Sequence, residues 1–75
     1  PLNLTLKEFE LLCYFADHPD QVISRDELLH SVWGYEYIGD ARTVDSHMAR
    51  LRLKLGDYGN SHIRTVYRMG YRFES

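Results

Sequence analysis

The sequence predicts a small α+β domain in which three helices precede a C-terminal β-hairpin. Apolar residues recur at helical spacing in three segments of the first 55 residues, whereas residues 62–74 are rich in β-branched and aromatic side chains. The chain has 75 residues, a length that corresponds to one domain. Its composition, 44% hydrophobic and 27% charged, is typical of a globular protein with a packed core.

The first helix is predicted over about residues 5–18. Thr5 and Glu8 have the spacing of a capping box, in which each side chain binds a free backbone N–H of the other residue. The helix ends before Pro19, because the residue that precedes a proline avoids helical geometry. The apolar residues at steps of three and four are Leu6, Phe9, Leu12, Cys13 and Ala16. We expect them on the buried face, together with the single cysteine.

The second helix is predicted over about residues 24–33. Ser24 and Glu27 form another capping box, and Gly34 follows the last apolar residue of the pattern. The apolar stripe of this helix consists of Leu28, Leu29, Val32 and Trp33. Residues 34–40 contain two glycines and lack a helical period, so they are expected to form a loop.

A third helix and a hairpin complete the predicted fold. The helix covers about residues 42–55 and ends at a cluster of small and polar residues, Gly56, Asp57 and Gly59. Its apolar stripe consists of Val44, Met48, Leu51 and Leu55. The hairpin spans residues 62–74 and has Gly70 available for a tight turn. Ile63 and Val66 have opposite parity, which leaves the strand register open. Three helices followed by a hairpin are the outline of a winged helix-turn-helix.

Charge is divided unevenly along the chain. The formal net charge is −2, which by itself argues against a partner rich in phosphate. Residues 1–41 hold two bases and eight acids, a net of −6, and residues 42–75 hold seven bases and three acids, a net of +4. The division favours a basic working surface near the C-terminus, although chance in so short a chain gives an alternative explanation.

The third helix has a face suited to DNA. On a helical wheel, Arg42, Ser46, Ala49, Arg50 and Leu53 lie opposite the apolar stripe. Asp45 and Arg52 flank one edge of this face, and His47 and Lys54 flank the other. Because arginine binds guanine bidentately, Arg50 is the leading candidate for a base contact, while Ala49 and Leu53 suit thymine methyl groups. A solvated helix surface is the simpler alternative, and Leu53 also fits a protein contact.

The chain resembles the effector domain of the OmpR/PhoB response-regulator family over nearly its whole length. The segments that carry the resemblance are LTLKEFELL (residues 4–12), SRDELL (24–29), VWGY (32–35), DARTVDSH (40–47), RLR (50–52), IRTV (63–66) and GYRF (70–73). The resemblance implies a recognition helix at about residues 42–55 and a wing at about residues 63–74, with two copies bound head to tail on direct-repeat promoter DNA.

The resemblance also implies which residues approach DNA and which face RNA polymerase. The candidates for DNA contact are Arg42, Thr43, Ser46, His47, Ala49, Arg50, Arg52, Leu53, Lys54, Arg64, Thr65, Tyr67 and Arg68. Thr65 is expected at a phosphate. The loop expected to face RNA polymerase consists of Tyr35, Glu36, Tyr37, Ile38, Gly39 and Asp40. The aromatic residues of this loop have an alternative role as a cap over the core.

The chain departs from the family pattern in three places. Ala49 stands before Arg50 where the family usually has two arginines, and Leu53 occupies the next basic position. In the wing, the usual arginine-glycine pair is Tyr67-Arg68. The change at Ala49 puts one backbone or base contact in doubt, and the change in the wing puts in doubt which side chain enters the minor groove. We favour Arg68, because a narrow groove with negative potential attracts arginine.

The family has two further parts upstream of this segment, a small antiparallel sheet and a phosphorylatable receiver domain. Residues 1–75 are therefore expected to be a fragment of a two-component regulator. No apolar run approaches the roughly 20 residues that a bilayer crossing needs, and the beginning of the sequence lacks the layout of a signal peptide. Together with the single cysteine, these features favour the cytoplasm.

Catalysis, metal binding and cofactor binding are not expected. Asp45, Ser46 and His47 are adjacent on a helix, so their side chains point about 100° apart and cannot form a hydrogen-bonded triad. The four histidines lack the spacing of a metal site, and the sequence has no glycine-rich phosphate loop. The main alternative to DNA binding is a winged helix that serves as a protein-interaction module.

Overall fold

The computed structural model describes residues 3–74, and these form a bundle of helices against one three-stranded sheet. In chain order the elements are α1 (Leu6–Asp17), β1 (Val22–Ile23), α2 (Arg25–Leu28, continued by the π-helical turn Leu29–Trp33), α3 (Arg42–Leu55), α4 (Asp57–His62), β2 (Ile63–Val66) and β3 (Gly70–Phe73). The predicted order of three helices, a loop at residues 34–40 and a C-terminal hairpin is confirmed. None of the described helices has the length and apolar character that crossing a membrane requires.

Side chains cap the first two helices as the sequence predicts, with one difference. At α1 both halves of the capping box form: the Thr5 hydroxyl accepts from the Glu8 N–H at 3.3 Å, and the Glu8 carboxylate accepts from the Thr5 N–H at 2.9 Å. At α2 the Ser24 hydroxyl accepts from the Glu27 N–H at 3.0 Å. The Glu27 carboxylate, however, accepts a hydrogen bond from the Tyr14 hydroxyl, which joins α1 to α2.

The predicted buried face of α1 is wrong. Leu6 is 72% exposed and Phe9 is 54% exposed, and both Cys13 and Ala16 also lie at the surface. Of the five residues in the predicted stripe, Leu12 alone packs against the core. The residues of α1 that are buried are Glu8, Leu11 and Phe15. This helix carries apolar side chains on two faces, and the face that turns inward is the one on which Glu8 meets Lys54 of α3.

The core lies between the helices and the sheet. Val44, Met48 and Leu51 of α3 are buried, and Leu55 packs against the same cluster, which confirms the predicted stripe. The other buried apolar residues are Leu11, Phe15, Ile23, Leu28, Leu29, Val32, Ile63, Tyr71 and Phe73. Trp33 of the α2 stripe is half-buried at the edge of this cluster. The packing fixes α3 by its apolar side and leaves its opposite side in solvent.

The sheet has the strand order β1-β3-β2, and both pairings are antiparallel. In the β2–β3 hairpin, Ile63 faces Phe73 and Val66 faces Gly70, which settles the register that the sequence left open. Arg68, with φ 64°, supplies the left-handed residue of the turn. Gly70 (φ 142°) instead opens β3, where it lies against the Ile23 carbonyl of β1.

The sequence did not predict β1 or α4. Strand β1 has two residues, too few to show alternation. Gly56 ends α3 with φ 63°, as expected, but the following residues form a further short helix instead of a loop. Within α4, Gly59 is buried against the backbone of Arg52, a close approach that explains a glycine inside a helix.

Candidate nucleic-acid interface

The outer face of α3, defined here as Arg42, Ser46, Ala49, Arg50 and Leu53, is exposed along its whole length. Leu53, near the C-terminal end of α3, is 82% exposed. Apart from Arg42, which pairs with Asp40, and Arg50, which approaches Glu8, the face consists of small or apolar side chains. The helical wheel therefore predicted the exposed side of α3 correctly.

On the edge nearest the hairpin, side chains of α3 are bound to the wing. The Asp45 carboxylate accepts two hydrogen bonds from Arg25, at 3.1 and 2.7 Å, and one from the Tyr71 hydroxyl at 2.6 Å. Arg52 donates to the Thr65 hydroxyl, and its guanidinium lies 5.4 Å from the centre of the Tyr71 ring. Burial and the Asp45 carboxylate raise the pKa of Tyr71 to about 12. These contacts hold α2, α3 and the hairpin in one fixed arrangement.

On the opposite edge, α3 is bound to α1 through Glu8. Lys54 donates to the buried Glu8 carboxylate at 2.7 Å and to the Asn3 carbonyl at 3.0 Å. The Nε atom of Arg50 lies 3.4 Å from the second carboxylate oxygen of Glu8. The hydrogen bond from Lys54 and the one from the Thr5 backbone lower the pKa of Glu8 to about 2, so the carboxylate is ionised at neutral pH.

The first turn of α3 is fixed by local contacts. The Asp40 carboxylate accepts hydrogen bonds from the Arg42 backbone N–H and guanidinium at 2.8–3.0 Å. These hydrogen bonds lower the pKa of Asp40. His47 is half-buried: its Nδ1 lies 2.8 Å from the Thr43 carbonyl oxygen, and its ring meets the edge of Trp33. Thr43 and His47 therefore flank the outer face without belonging to it.

The tip of the hairpin consists of exposed residues that include arginine. Tyr67 is 79% exposed, and the Arg68 guanidinium stacks over its ring at 5.2 Å. Thr65 and Arg64 are exposed on β2, and Arg64 pairs with Glu74 at 3.2 Å. Met69, 61% exposed, was not among the predicted site residues.

A cleft of about 470 Å³ separates the wing from the start of α2. Its lining combines the capped start of α2, the Asp45 side chain and the hairpin turn, and includes Ser24, Arg25, Asp26, Thr65, Arg68 and Met69. Neither Ser24 nor Arg25 was predicted from the sequence to belong to the site. The one signal for them was the position of Ser24 at a helix start, where free backbone N–H groups favour an anion.

The loop at residues 34–40 presents apolar side chains to solvent. Ile38 is 99% exposed and Tyr35 is 86% exposed, with the Tyr35 ring stacked on His30. Tyr37 lies 6.4 Å from Trp33, ring centre to ring centre, and is the loop aromatic that covers the edge of the core. Among the described residues, no cluster of three or more histidine, cysteine, aspartate or glutamate side chains could hold a metal ion.

Comparison with known proteins identifies relatives that match nearly the whole length of this chain. Residues 1–73 match the family described as transcriptional regulatory protein, C terminal. The uncharacterized transcriptional regulatory protein YclJ of Bacillus subtilis is 51% identical over 72 residues, which cover 96% of this chain and 32% of YclJ. The chain therefore spans about a third of the length of this relative.

Solved structures show the same fold. The DNA-binding domain of Bacillus subtilis CssR superposes with a TM-score of 0.87 at 42% identity, covering 96% of this chain and 78% of that one. The Klebsiella pneumoniae RstA DNA-binding domain, solved in complex with the RstA box, gives a TM-score of 0.80 at 35% identity, covering 97% and 74%. The family is one of transcription regulators and is not a known enzyme family. The chain belongs to the transcriptional regulatory protein C-terminal family, the winged-helix effector domains of the OmpR/PhoB type.

Proposed function

We propose that this domain binds double-stranded DNA sequence-specifically, as the output domain of a two-component response-regulator transcription factor. The observation that carries the proposal is the exposed outer face of α3, which is held between two edges bound to the rest of the domain. The complex of the RstA relative with its DNA box supports the same role for this chain. On this proposal, α3 enters the major groove and the hairpin turn lies near the minor groove.

The dimensions and charge of α3 fit this role. Its 14 residues span about 21 Å, and the groove of B-DNA is wide enough for a helix. Asp45, the acidic residue within α3, is turned toward Arg25 and Tyr71. The outer face therefore presents Arg50 to DNA without a carboxylate of α3 beside it, whereas Arg42 is paired with the exposed Asp40 carboxylate that precedes the helix.

Each exposed side chain of α3 has a proposed contact. Arg50 binds a guanine, and Ser46 donates to or accepts from a neighbouring base. Ala49 and Leu53 pack against thymine methyl groups, because an exposed apolar side chain gains free energy when it leaves water. Thr43, His47, Arg52 and Lys54, which lie at the two edges, contact the flanking backbone while they hold α3 in place.

The wing supplies contacts that do not depend on sequence. Arg64 and Thr65 are exposed on β2 and face phosphates in this arrangement. Arg68 projects from the turn beside Tyr67, and the proposed site for its guanidinium is the minor groove. With about five phosphates neutralised, the log of the affinity falls with the log of the salt concentration at a slope of about −4 to −5.

The test begins with selection of the domain against a random duplex pool at low and at higher salt. We expect a short motif, repeated directly at a spacing of about one helical turn if two copies bind head to tail. Arg50→Ala should then reduce the preference for guanine at one position by about 1–3 kcal/mol. Arg64→Ala should weaken binding to every sequence alike and reduce the salt slope by about 1.

Three results would contradict the proposal in whole or in part. If neither substitution changes DNA binding while circular dichroism shows both variants folded, the assigned surface is wrong. If the wild-type domain retains no duplex at low salt, the protein-interaction alternative is favoured instead. Retention without a motif would leave backbone binding but remove the claim of sequence specificity.

The loop at residues 35–40 supports a second contact in the intact regulator, with RNA polymerase. The specific observation is that Tyr35 and Ile38 are almost fully exposed on the same loop, whereas Tyr37 is engaged with Trp33. Apolar side chains exposed in this way are typical of protein contacts. Ile38→Ser should leave DNA affinity unchanged and lower transcription from a dependent promoter. If the wild-type protein and the Ile38→Ser variant support equal transcription, the proposed contact with RNA polymerase is ruled out. A receiver domain and a cytoplasmic location complete the proposal for the whole protein.

A further inference from the structure

Glu8 is a buried charged residue whose carboxylate can accept more hydrogen bonds than its role in the capping box requires. Its side chain is fully buried, and Oε1 accepts hydrogen bonds from the Thr5 N–H at 2.9 Å and from Lys54 at 2.7 Å. The second oxygen, Oε2, is also buried and has no hydrogen-bond partner among the described residues. The cation that Oε2 faces is Arg50, whose Nε lies 3.4 Å away.

Helix capping alone does not explain this arrangement. A capping box needs one acceptor at this position, and a neutral glutamine supplies it as well as glutamate does. Burying an ionised carboxylate is costly unless the charge is paired. Lys54 pairs with Oε1, and the remaining oxygen and the rest of the charge are directed at Arg50. The carboxylate oxygen of Glu8 that the capping box does not use therefore interacts with Arg50, a side chain of the outer face.

The contact restricts Arg50 in a useful way. A guanidinium is planar and rigid, so an ionic contact at Nε orients the whole group. The two terminal amino groups are the pair of donors that matches the O6 and N7 acceptors of guanine. The Arg50 side chain is still 54% exposed, which leaves its end accessible to a ligand. A side chain that is oriented before binding loses less conformational entropy when it binds.

We propose that Glu8 is a positioning residue for Arg50, and that its Oε2 sets the sequence specificity of the domain from behind the recognition helix. The inference rests on the proposed function, in which Arg50 contacts a guanine. Glu8 itself does not touch DNA. It connects the start of α1 to base recognition on α3, over a separation of 42 residues in the sequence.

The experiment compares Glu8→Gln with wild type in binding to the selected motif and to a duplex in which the guanine is replaced. Glutamine keeps an acceptor for the Thr5 N–H but loses the charge that faces Arg50. A bidentate arginine contact discriminates by a factor of about 5–150. We expect Glu8→Gln to lower this discrimination severalfold. Glutamine also removes the ionic partner of Lys54, so the readout is the ratio of the two affinities, in which a change in sequence-independent backbone contacts cancels.

Two further variants separate positioning from stability. Thr5→Ala removes the hydroxyl half of the capping box of α1 but leaves Glu8 facing Arg50, so it should lower the unfolding midpoint without changing discrimination. In an Arg50→Ala background, Glu8→Gln should cause no additional loss, because its effect passes through Arg50. If the role of Glu8 is only structural, Glu8→Gln will lower stability as Thr5→Ala does and leave discrimination unchanged. That result would overturn the inference.

The outcomes also distinguish this inference from the proposed function. If Arg50→Ala leaves discrimination unchanged, the proposed base contact of Arg50 fails. If Arg50→Ala abolishes discrimination but Glu8→Gln does not affect it, the base contact stands and the positioning role fails. Should Glu8→Gln not fold, NMR of the wild-type domain provides the test. The Arg50 Nε–H signal should be resolved and slow to exchange, and a signal averaged with those of exposed arginines would overturn the inference.

Discussion

Replacing Gly70 with alanine should strongly destabilise the domain, because β1 and β3 approach each other at this glycine. A Cβ at position 70 would lie 2.0 Å from the Ile23 carbonyl oxygen and 2.8 Å from the Ile23 carbonyl carbon. Both atoms belong to backbone, so no side-chain rotation relieves the clash. The φ of 142° adds strain for any residue with a Cβ.

The cost can be estimated from what must separate. Moving β1 away from β3 breaks the pairing of Val22 with Arg72 and of Ile23 with Tyr71, one of which is a hydrogen-bonded pair. Two backbone hydrogen bonds contribute about 1 kcal/mol each, and the unfavourable φ costs about 1–3 kcal/mol. The sum is about 3–5 kcal/mol. A domain of 75 residues has a total stability of about 4–11 kcal/mol.

Urea unfolding followed by the fluorescence of Trp33 measures this loss. In a separate thermal unfolding experiment, the midpoint temperature should fall by about 12 °C or more, since each 1 kcal/mol shifts it by roughly 4–8 °C in a domain of this size. Gly56→Ala is the matched control: it also has positive φ, but a Cβ there meets no atom within 4 Å, so it reports strain alone. If Gly70→Ala costs no more than Gly56→Ala, the close approach of β1 and β3 is not a source of stability.

Two other predictions concern pH and the wing. The pKa of Glu8 is held at about 2 against an ordinary value of 4.5, so its ionised form stabilises the fold fully above pH 4.5 and this contribution is lost as the pH falls toward 2. The free energy of unfolding of wild type should therefore fall more steeply over this range than that of Glu8→Gln, and parallel curves would argue against the ion pair. Arg68→Gly removes a side chain at φ 64°, so the unfolding midpoint in urea should stay equal or rise while DNA affinity falls. A clear loss of stability would show that the stacking of Arg68 on Tyr67 outweighs the backbone strain.

The elements that sequence patterns predicted well are those with one uninterrupted signal. The α3 bounds follow from a single apolar stripe and a terminal glycine, and the structure places both where they were expected. For α1 the pattern contained two apolar faces, and periodicity cannot tell which one is buried because that depends on Glu8 and its distant partner Lys54. Strand β1 is stabilised by β3, some 50 residues later in the sequence, and not by its own two residues.

The candidate site likewise has one part that the sequence predicted and one part that it did not. The outer face of α3 could be predicted from the sequence, since exposure opposite a buried stripe follows from helical geometry alone. The contacts that fix its edges, Asp45 with Arg25 and Glu8 with Arg50, join elements far apart in the chain. A local pattern contains no information on such pairs. These pairs can be identified only from the fold, in which α1 and α2 pack against α3.

The residues at the two edges of α3 are bound to other elements of the domain, and this has a consequence for how DNA specificity can change. Asp45, Arg52 and Lys54 each bind another element of the domain, and their replacement would disturb the fold. Ser46, Ala49 and Leu53 are exposed on the opposite side. On the proposed function, substitutions at these three positions would alter the preferred sequence at little cost in stability. A gene duplicate could therefore acquire new target promoters through a few point mutations while its scaffold stays the same.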